Sequence, residues 1–196
     1  MHAVARQPDD TAENAPARAE DLRLVEQFRA GDRRAFGELV RRWQRPLYGL
    51  LWRIVRNEAD ARDLVQATFL RAWTGAEGWR GESSFRTWVY RIGVNLALNH
   101  KRDRGRWLSA AVAPDELPTE ATGLRRLVEA ETSQRMGQAV ETLPARQKLV
   151  VELRVYEGLS FREVAEVVGS SEDAAKANFH HAIKRLRDVL TEGGEA

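Results

Sequence analysis

Apolar residues in this chain recur at spacings of three and four, and no segment alternates apolar with polar residues over the length of a strand. That period belongs to a helix with one buried face. The fold it dictates is helix packed on helix. The clearest stripe is Phe85, Trp88, Val89, Ile92 and Leu96. Others are Leu22, Val25 and Phe28; Phe36, Leu39, Val40 and Trp43; Ala61, Leu64, Val65, Thr68, Phe69 and Ala72; and Ala175, Phe179, Ile183, Leu186 and Leu190.

The punctuation between stripes gives the organisation. Asp32, Asn57 and Ser84 stand where N-caps are needed, and Ser160 with Glu163 has capping-box spacing. Gly31 and Gly169 stop helices, and Pro144 sits at the first position of another. Pro46 permits a break or a new start before LYGLLWRIV, and TGAEGWRGES (74–83) reads as a loop. Residues 1–20 lack apolar period and read as a disordered tail. Residues 107–130 hold two Pro and net negative charge and read as a linker. The expectation is an all-α chain: a helical domain at 21–106, a second at 131–190 joined by that flexible linker, and a short tail at 191–196.

Composition removes several function classes. The 196 residues contain no Cys, so no disulfide framework or thiolate chemistry is available. His2, His100, His180 and His181 are too scattered for a metal site. No apolar run approaches a membrane span and the N-terminus has no apolar signal core, so a cytoplasmic protein without membrane insertion is expected. No carboxylate cluster, nucleophile–base pair or phosphate-cradling Gly loop appears. Asp60 and Asp63, three apart, are explained by a solvated helix face. No catalytic residue, no metal and no cofactor is expected.

Net charge is only +2, but residues 21–106 hold 18 Lys/Arg against 10 Asp/Glu, a local +8, while residues 132–196 carry −1. A basic first half suits a polyanion, and a solvated Arg-rich surface gives the same count.

Two segments carry more specific chemistry. LSFREVAEVVGSSEDAAKANFHHAIKRLR (159–187) has helix-turn-helix form, whose second helix enters a DNA major groove. Opposite its buried stripe lie Asp173, Lys176, Ala177, His180 and Lys184, with His181 beside them. Lys176 can donate to guanine, Ala177 can meet a thymine methyl, and Lys184, Arg185 and Arg187 can hold phosphates. An ordinary helical hairpin with a solvated face fits equally well. In the helix from Ser84, Arg91, Asn95 and Asn99 form an i, i+4, i+8 stripe that Arg102 continues, away from the apolar face. Asn reads a base edge, Arg clamps phosphate, and Trp79 in the preceding loop offers a flat face; together they suit an unstacked base. The competing reading makes Trp79 a lid on the core.

The residues GDRRAFGELVRRW (31–43), DARDLVQATFLRAW (60–73) and WRGESSFRTWVYRIGVNLALNHKR (79–102) resemble the sigma-2 domain of extracytoplasmic-function (group IV) sigma factors of the sigma-70 family. LPARQKLVVELRVYEGLSFREVAEVVGSSEDAAKANFHHAIKRLR (143–187) resembles their sigma-4 domain. The resemblance implies a promoter-specificity factor that catalyses nothing itself and lends core RNA polymerase a sequence preference. It implies docking on the polymerase β′ clamp helices through Asp63, Gln66 and Phe69, contact of the second domain with the β flap, and −10 DNA binding by Trp79, Arg80, Thr87, Tyr90, Arg91, Asn95, Asn99 and Arg102. It implies −35 DNA binding by Asp173, Lys176, Ala177, His180, His181 and Lys184, and control by an anti-sigma factor. Ala67 stands where the family often has an acid, Trp79 where Phe is frequent, and Asn178 and His181 where Arg is common. A stand-alone helix-turn-helix regulator and a helical protein-interaction adaptor are the rival readings. The first leaves the D-x-x-Q helix and the Trp79 loop unexplained, and Lys176→Glu discriminates the second, since it leaves an adaptor unaffected but cripples a −35 reader.

Overall fold

The helix caps anticipated from sequence are made. A computed structural model describes residues 15–108 and 139–192. The elements are α1 (Ala15–Arg29), α2 (Arg33–Val55), α3 (Glu58–Gly75), α4 (Phe85–Leu108), α5 (Ala145–Val151) running into a π turn (Glu152–Tyr156), α6 (Phe161–Val168) and α7 (Glu172–Glu192). Among the described residues there is no strand. Asp32 accepts from the Arg34 amide and Asn57 from the Asp60 amide, both at 2.9 Å. The Ser84 hydroxyl accepts from the Thr87 amide at 3.1 Å. Ser160 and Glu163 form a reciprocal capping box, and Gly169 closes α6 in the left-handed region at φ 65°. The expected linker lies outside the described residues beyond Leu108, as do 131–138 at the expected start of the second block, 1–14 and 193–196.

Two expectations are corrected. The chain does not break at Pro46: α2 is one helix of 23 residues with Pro46 inside it. A proline in a helix interior costs about 3 kcal/mol. Leu47, Leu50 and Leu51, directly after it, are wholly buried. At roughly 2 kcal/mol each, their burial outweighs that cost. Nor does the helical pattern wait for Asp21, since α1 begins at Ala15. Ala15, Ala17 and Ala19 favour helix whatever their periodicity. Asp21 is itself a core residue at 1 % exposure. Arg42 donates to one of its oxygens at 2.6 Å and Trp43 Nε1 to the other at 2.9 Å, locking α1 onto α2. Burial pushes the Asp21 carboxyl above its ordinary value, and Arg42 and Trp43 partly counter this.

Helix α4 packs against α2 and α3 on one side and α6 on another. Its Gly93 makes the first contact possible: a Cβ there would meet Leu47 Cδ1 at 2.9 Å and Thr68 Oγ1 at 3.3 Å. Buried apolar residues form one cluster from Leu24 and Val25 through Phe85, Val89 and Val94 to Val164 and Ala175. A second, smaller cluster joins Ala139, Val140, Leu143 and Val151 to Ala182 and Leu186.

The loop after α3 is fixed from outside. The Arg29 guanidinium donates to the Ala76 carbonyl at 3.0 and 2.7 Å, to the Glu77 carbonyl at 3.2 Å, and to the Trp79 carbonyl. Ala76 is the C-cap of α3, and Glu77 and Trp79 lie in the loop beyond it.

Two outcomes follow from these anchors. Because burial already offsets part of what Arg42 and Trp43 supply, Asp21→Ala should lower stability by about 1.5 kcal/mol in urea unfolding. Arg29→Ala should remove about 2 kcal/mol of local stabilisation, so amides 77–81 should exchange with solvent about thirtyfold faster while the α4 core amides are unchanged.

Candidate nucleic-acid interface

On α3, Asp63 and Gln66 are exposed and Ala67 is half-buried. Phe69 is turned inward at 7 % exposure, so the expected docking role of its side chain is corrected to a core role. The residue beside it, Leu70, is 62 % exposed. Leu70 completes an i, i+3, i+7 face with Asp63 and Gln66. The sequence held this signal, a large apolar residue in phase with two polar ones. The Phe69 stripe masked it.

The stripe on α4 stands as expected. Arg91, Asn95, Asn99 and Arg102 are exposed on α4, and Arg80 is exposed in the loop. Arg102 donates to the Asn99 side-chain oxygen at 3.1 Å. Trp79, by contrast, is 6 % exposed. Its ring stacks on Trp88 with centroids 5.9 Å apart and meets the Phe85 ring edge-on at 5.9 Å. The lid reading of Trp79 is therefore what the structure adopts, because Arg29 holds the loop that carries it. Trp79 and Trp88 form the apolar wall of a cleft of about 680 Å³, whose polar side includes Arg71, Arg80, Arg91 and Asn95. Trp79 Nε1 is buried without a hydrogen-bond partner. The cleft thus combines flat apolar surface, three cations, the carboxylates of Glu82 and Glu166, and one amide able both to donate and to accept.

Thr87 and Tyr90 are wholly buried, contrary to the expectation of a DNA-facing position. What covers them comes from the C-terminal half. The Thr87 hydroxyl donates to Glu163 at 3.1 Å and the Tyr90 hydroxyl donates to Glu157 at 2.6 Å. Burial foremost, with Glu157 adding to it, raises the Tyr90 phenol well above its ordinary value, so it stays a donor. Arg86 bonds the Glu157 carbonyl and lies 3.5 Å from its carboxylate. Arg53, on α2, pairs with both Glu152 and Glu157. Arg91 lies 3.8 Å from Glu166, which lines the cleft from α6. Reading the sequence alone missed these acids and Arg53 and Arg86. The uneven charge of the two halves was their only trace.

On α7, Asp173, Ala177, His180, His181 and Lys184 are exposed. Lys176 pairs with Glu172 at 2.8 Å, and that bond raises its pKa and keeps it charged. Asn178 is not a free contact: its amide donates to the Ala174 carbonyl of its own helix at 2.7 Å. The spacing places Asp173, Ala177, His180 and Lys184 on one face, with His181 a step around the helix. Among the described residues no group of His, Asp and Glu is arranged to hold a metal, and no helix is long and apolar enough to cross a membrane.

Residues 39–106 match the family described as Sigma-70 region 2, and residues 133–186 match Sigma-70, region 4. The RNA polymerase sigma-H factor of Pseudomonas aeruginosa is 33% identical over 181 residues, which are 87% of this chain and 94% of that protein. The ECF RNA polymerase sigma-E factor of Haemophilus influenzae is 36% identical over 183 residues, 87% of this chain and 93% of that one. Among solved structures, CnrH in complex with the cytosolic domain of CnrY superposes with a TM-score of 0.66 at 27% identity, over 88% of this chain and 98% of that one. The sigma factor RpoE of Bartonella quintana, solved with the anti-sigma factor NepR, shares the fold with a TM-score of 0.66 at 22% identity, over 80% of this chain and 96% of that one. With both sigma-70 regions present in order and relatives matched over nearly their whole length, this chain belongs to the sigma-70 family as an RNA polymerase sigma factor of the extracytoplasmic-function group.

Proposed function

We propose that this sigma factor divides its work among three faces. The Asp63, Gln66 and Leu70 face of α3 docks on the clamp helices of core RNA polymerase. It offers an acid, an amide and an exposed apolar side chain within two helical turns. The C-terminal domain sits on the β flap and presents Asp173, Lys176, Ala177, His180 and Lys184 to duplex −35 DNA, with His181 at the margin. The cleft bounded by Trp79, Trp88, Arg80, Arg91 and Asn95 takes a base flipped from the −10 element, while Asn99 and Arg102 track the strand.

The cleft is the observation that carries this reading. Capturing a flipped base offsets the few kcal/mol of its unstacking. Apolar walls with cations at the rim suit a base attached to its phosphates. Thr87 and Tyr90 join the −10 face only once the C-terminal half moves off them. A stand-alone regulator reading duplex DNA leaves this cleft without a task, and an adaptor has no need of its cations. CnrH, 27% identical, is solved bound to a segment of another protein. That supports a comparable partner here, an anti-sigma factor that withholds the chain from polymerase in the cytoplasm, where polymerase acts.

The test is transcription in vitro with core bacterial RNA polymerase and a pool of promoter fragments. The protein should give discrete start sites. Asn95→Ala should lower open-complex formation about tenfold, the worth of one good base contact, without weakening polymerase binding. Lys176→Glu should weaken −35-dependent initiation by a similar factor. Start sites unchanged by either substitution would reject both DNA-facing assignments.

A further inference from the structure

Among its described side chains, α4 exposes one large apolar residue, Leu98, at 41 %. Exposure alone says little, because single apolar side chains are common on protein surfaces. The place of this one says more. Elsewhere in the N-terminal half, exposed Leu70 lies on the proposed docking face. Trp73 packs on the rings of Phe28 and Phe36, with centroids at 4.5 and 5.0 Å. Leu98 stands among polar groups instead.

At about 100° per residue, Leu98, Arg91, Arg102 and Asn95 fall within about 60° of the helix circumference. All four are exposed. Leu98 therefore shares the face whose polar members are assigned to the −10 strand. The helical rise puts it about 4.5 Å along the axis from Asn95, with Arg102 about 6 Å further on. A stacked strand advances about 3.4 Å per nucleotide. With Asn95 bordering the flipped base, Leu98 meets the neighbouring nucleotide, and Arg102 reaches the phosphates beyond it.

Leu98 can neither donate nor accept a hydrogen bond, so apolar surface is all it can recognise. Of the four bases, thymine alone carries an aliphatic group, the 5-methyl. The groups around Leu98 select the same base. Arg91 and Arg102 only donate. Asn99 has its side-chain oxygen engaged by Arg102 at 3.1 Å, which leaves it the amide protons. Thymine sets the O4 acceptor beside its methyl, where cytosine sets an amino donor. A row of donors next to an apolar side chain thus accepts thymine and rejects cytosine.

We infer that Leu98 is a specificity-determining residue of the −10 face and reads the 5-methyl of a thymine next to the captured base. This rests on the −10 assignment of α4. It gives that face a division of labour: Asn95 borders the flipped base, the cations hold the backbone, and Leu98 identifies the neighbour by shape.

The experiment measures open-complex formation by core RNA polymerase with the full chain, on promoters recovered from the fragment pool. Each non-template thymine of the −10 element is replaced singly by deoxyuridine, which removes one methyl and leaves O4 in place. The parent, Leu98→Met, Leu98→Ala, Leu98→Gln and Asn95→Ala are compared. A thermal melt confirms that each is folded, and Leu98→Ala and Leu98→Gln are judged separately, so either decides if the other misfolds. At one thymine the parent should slow about fourfold on losing the methyl, the worth of one buried methyl group. Leu98→Met should keep that sensitivity. Leu98→Ala and Leu98→Gln should open the thymine and uracil promoters at the same rate. A parent indifferent to every replacement overturns the inference, as do promoters with no thymine at a shared place in the −10 element. So does Leu98→Ala or Leu98→Gln as sensitive to the lost methyl as the parent. If Asn95→Ala opens every promoter as fast as the parent, the −10 assignment fails and the thymine contact falls with it. If Asn95→Ala is slow while the parent ignores the methyls, only the thymine contact fails.

Discussion

Everything in the N-terminal half depends on α4 being pressed closely against α2 and α3. Gly93 permits that approach, with Leu47 and Thr68 filling the space a side chain would need. With one side of α4 committed to Phe85, Val89 and Val94, the helical repeat turns Arg91, Asn95 and Asn99 outward at fixed intervals. The apolar stripe thereby sets the register of the polar one. No separate device is needed to aim those three side chains.

The same helix has a second neighbour of different character. Toward α2 and α3 the packing is predominantly apolar, which makes it permanent on the scale of folding. Toward the C-terminal half, buried apolar contact is ringed by acid–base pairs. Apolar burial is indifferent to what lies opposite, whereas ion pairs are selective and replaceable. One helix thus has a predominantly apolar interface on one side and one ringed by ion pairs on the other.

Local signals were legible in the sequence. The caps at Asp32, Asn57 and Ser84, the Ser160–Glu163 box, the Gly169 stop and the α4 stripe each depend on residues within a turn of one another. Apart from the early start of α1 at Ala15, which is a matter of local propensity, the failures were tertiary. Pro46 reads as a break until the burial of Leu47, Leu50 and Leu51 is known. Phe69 and Leu70 are adjacent apolar residues, and only packing decides which is inside. Thr87 and Tyr90 lie off the apolar stripe, so sequence exposes them; a second half of opposite charge covers them. Trp79 reads as a loop residue open to a base because its anchor, Arg29, lies 50 residues away in the chain.

On the proposed −10 assignment, that anchor bears on strand opening. A loop of glycines that must organise itself around a base surrenders backbone freedom at the moment of capture, and the loss is subtracted from affinity. Here Arg29 has removed that freedom during folding, by tying down the Ala76, Glu77 and Trp79 carbonyls. A base entering the proposed site therefore meets a preorganised loop, and the disorder to be overcome in strand opening belongs to the DNA and not to the protein.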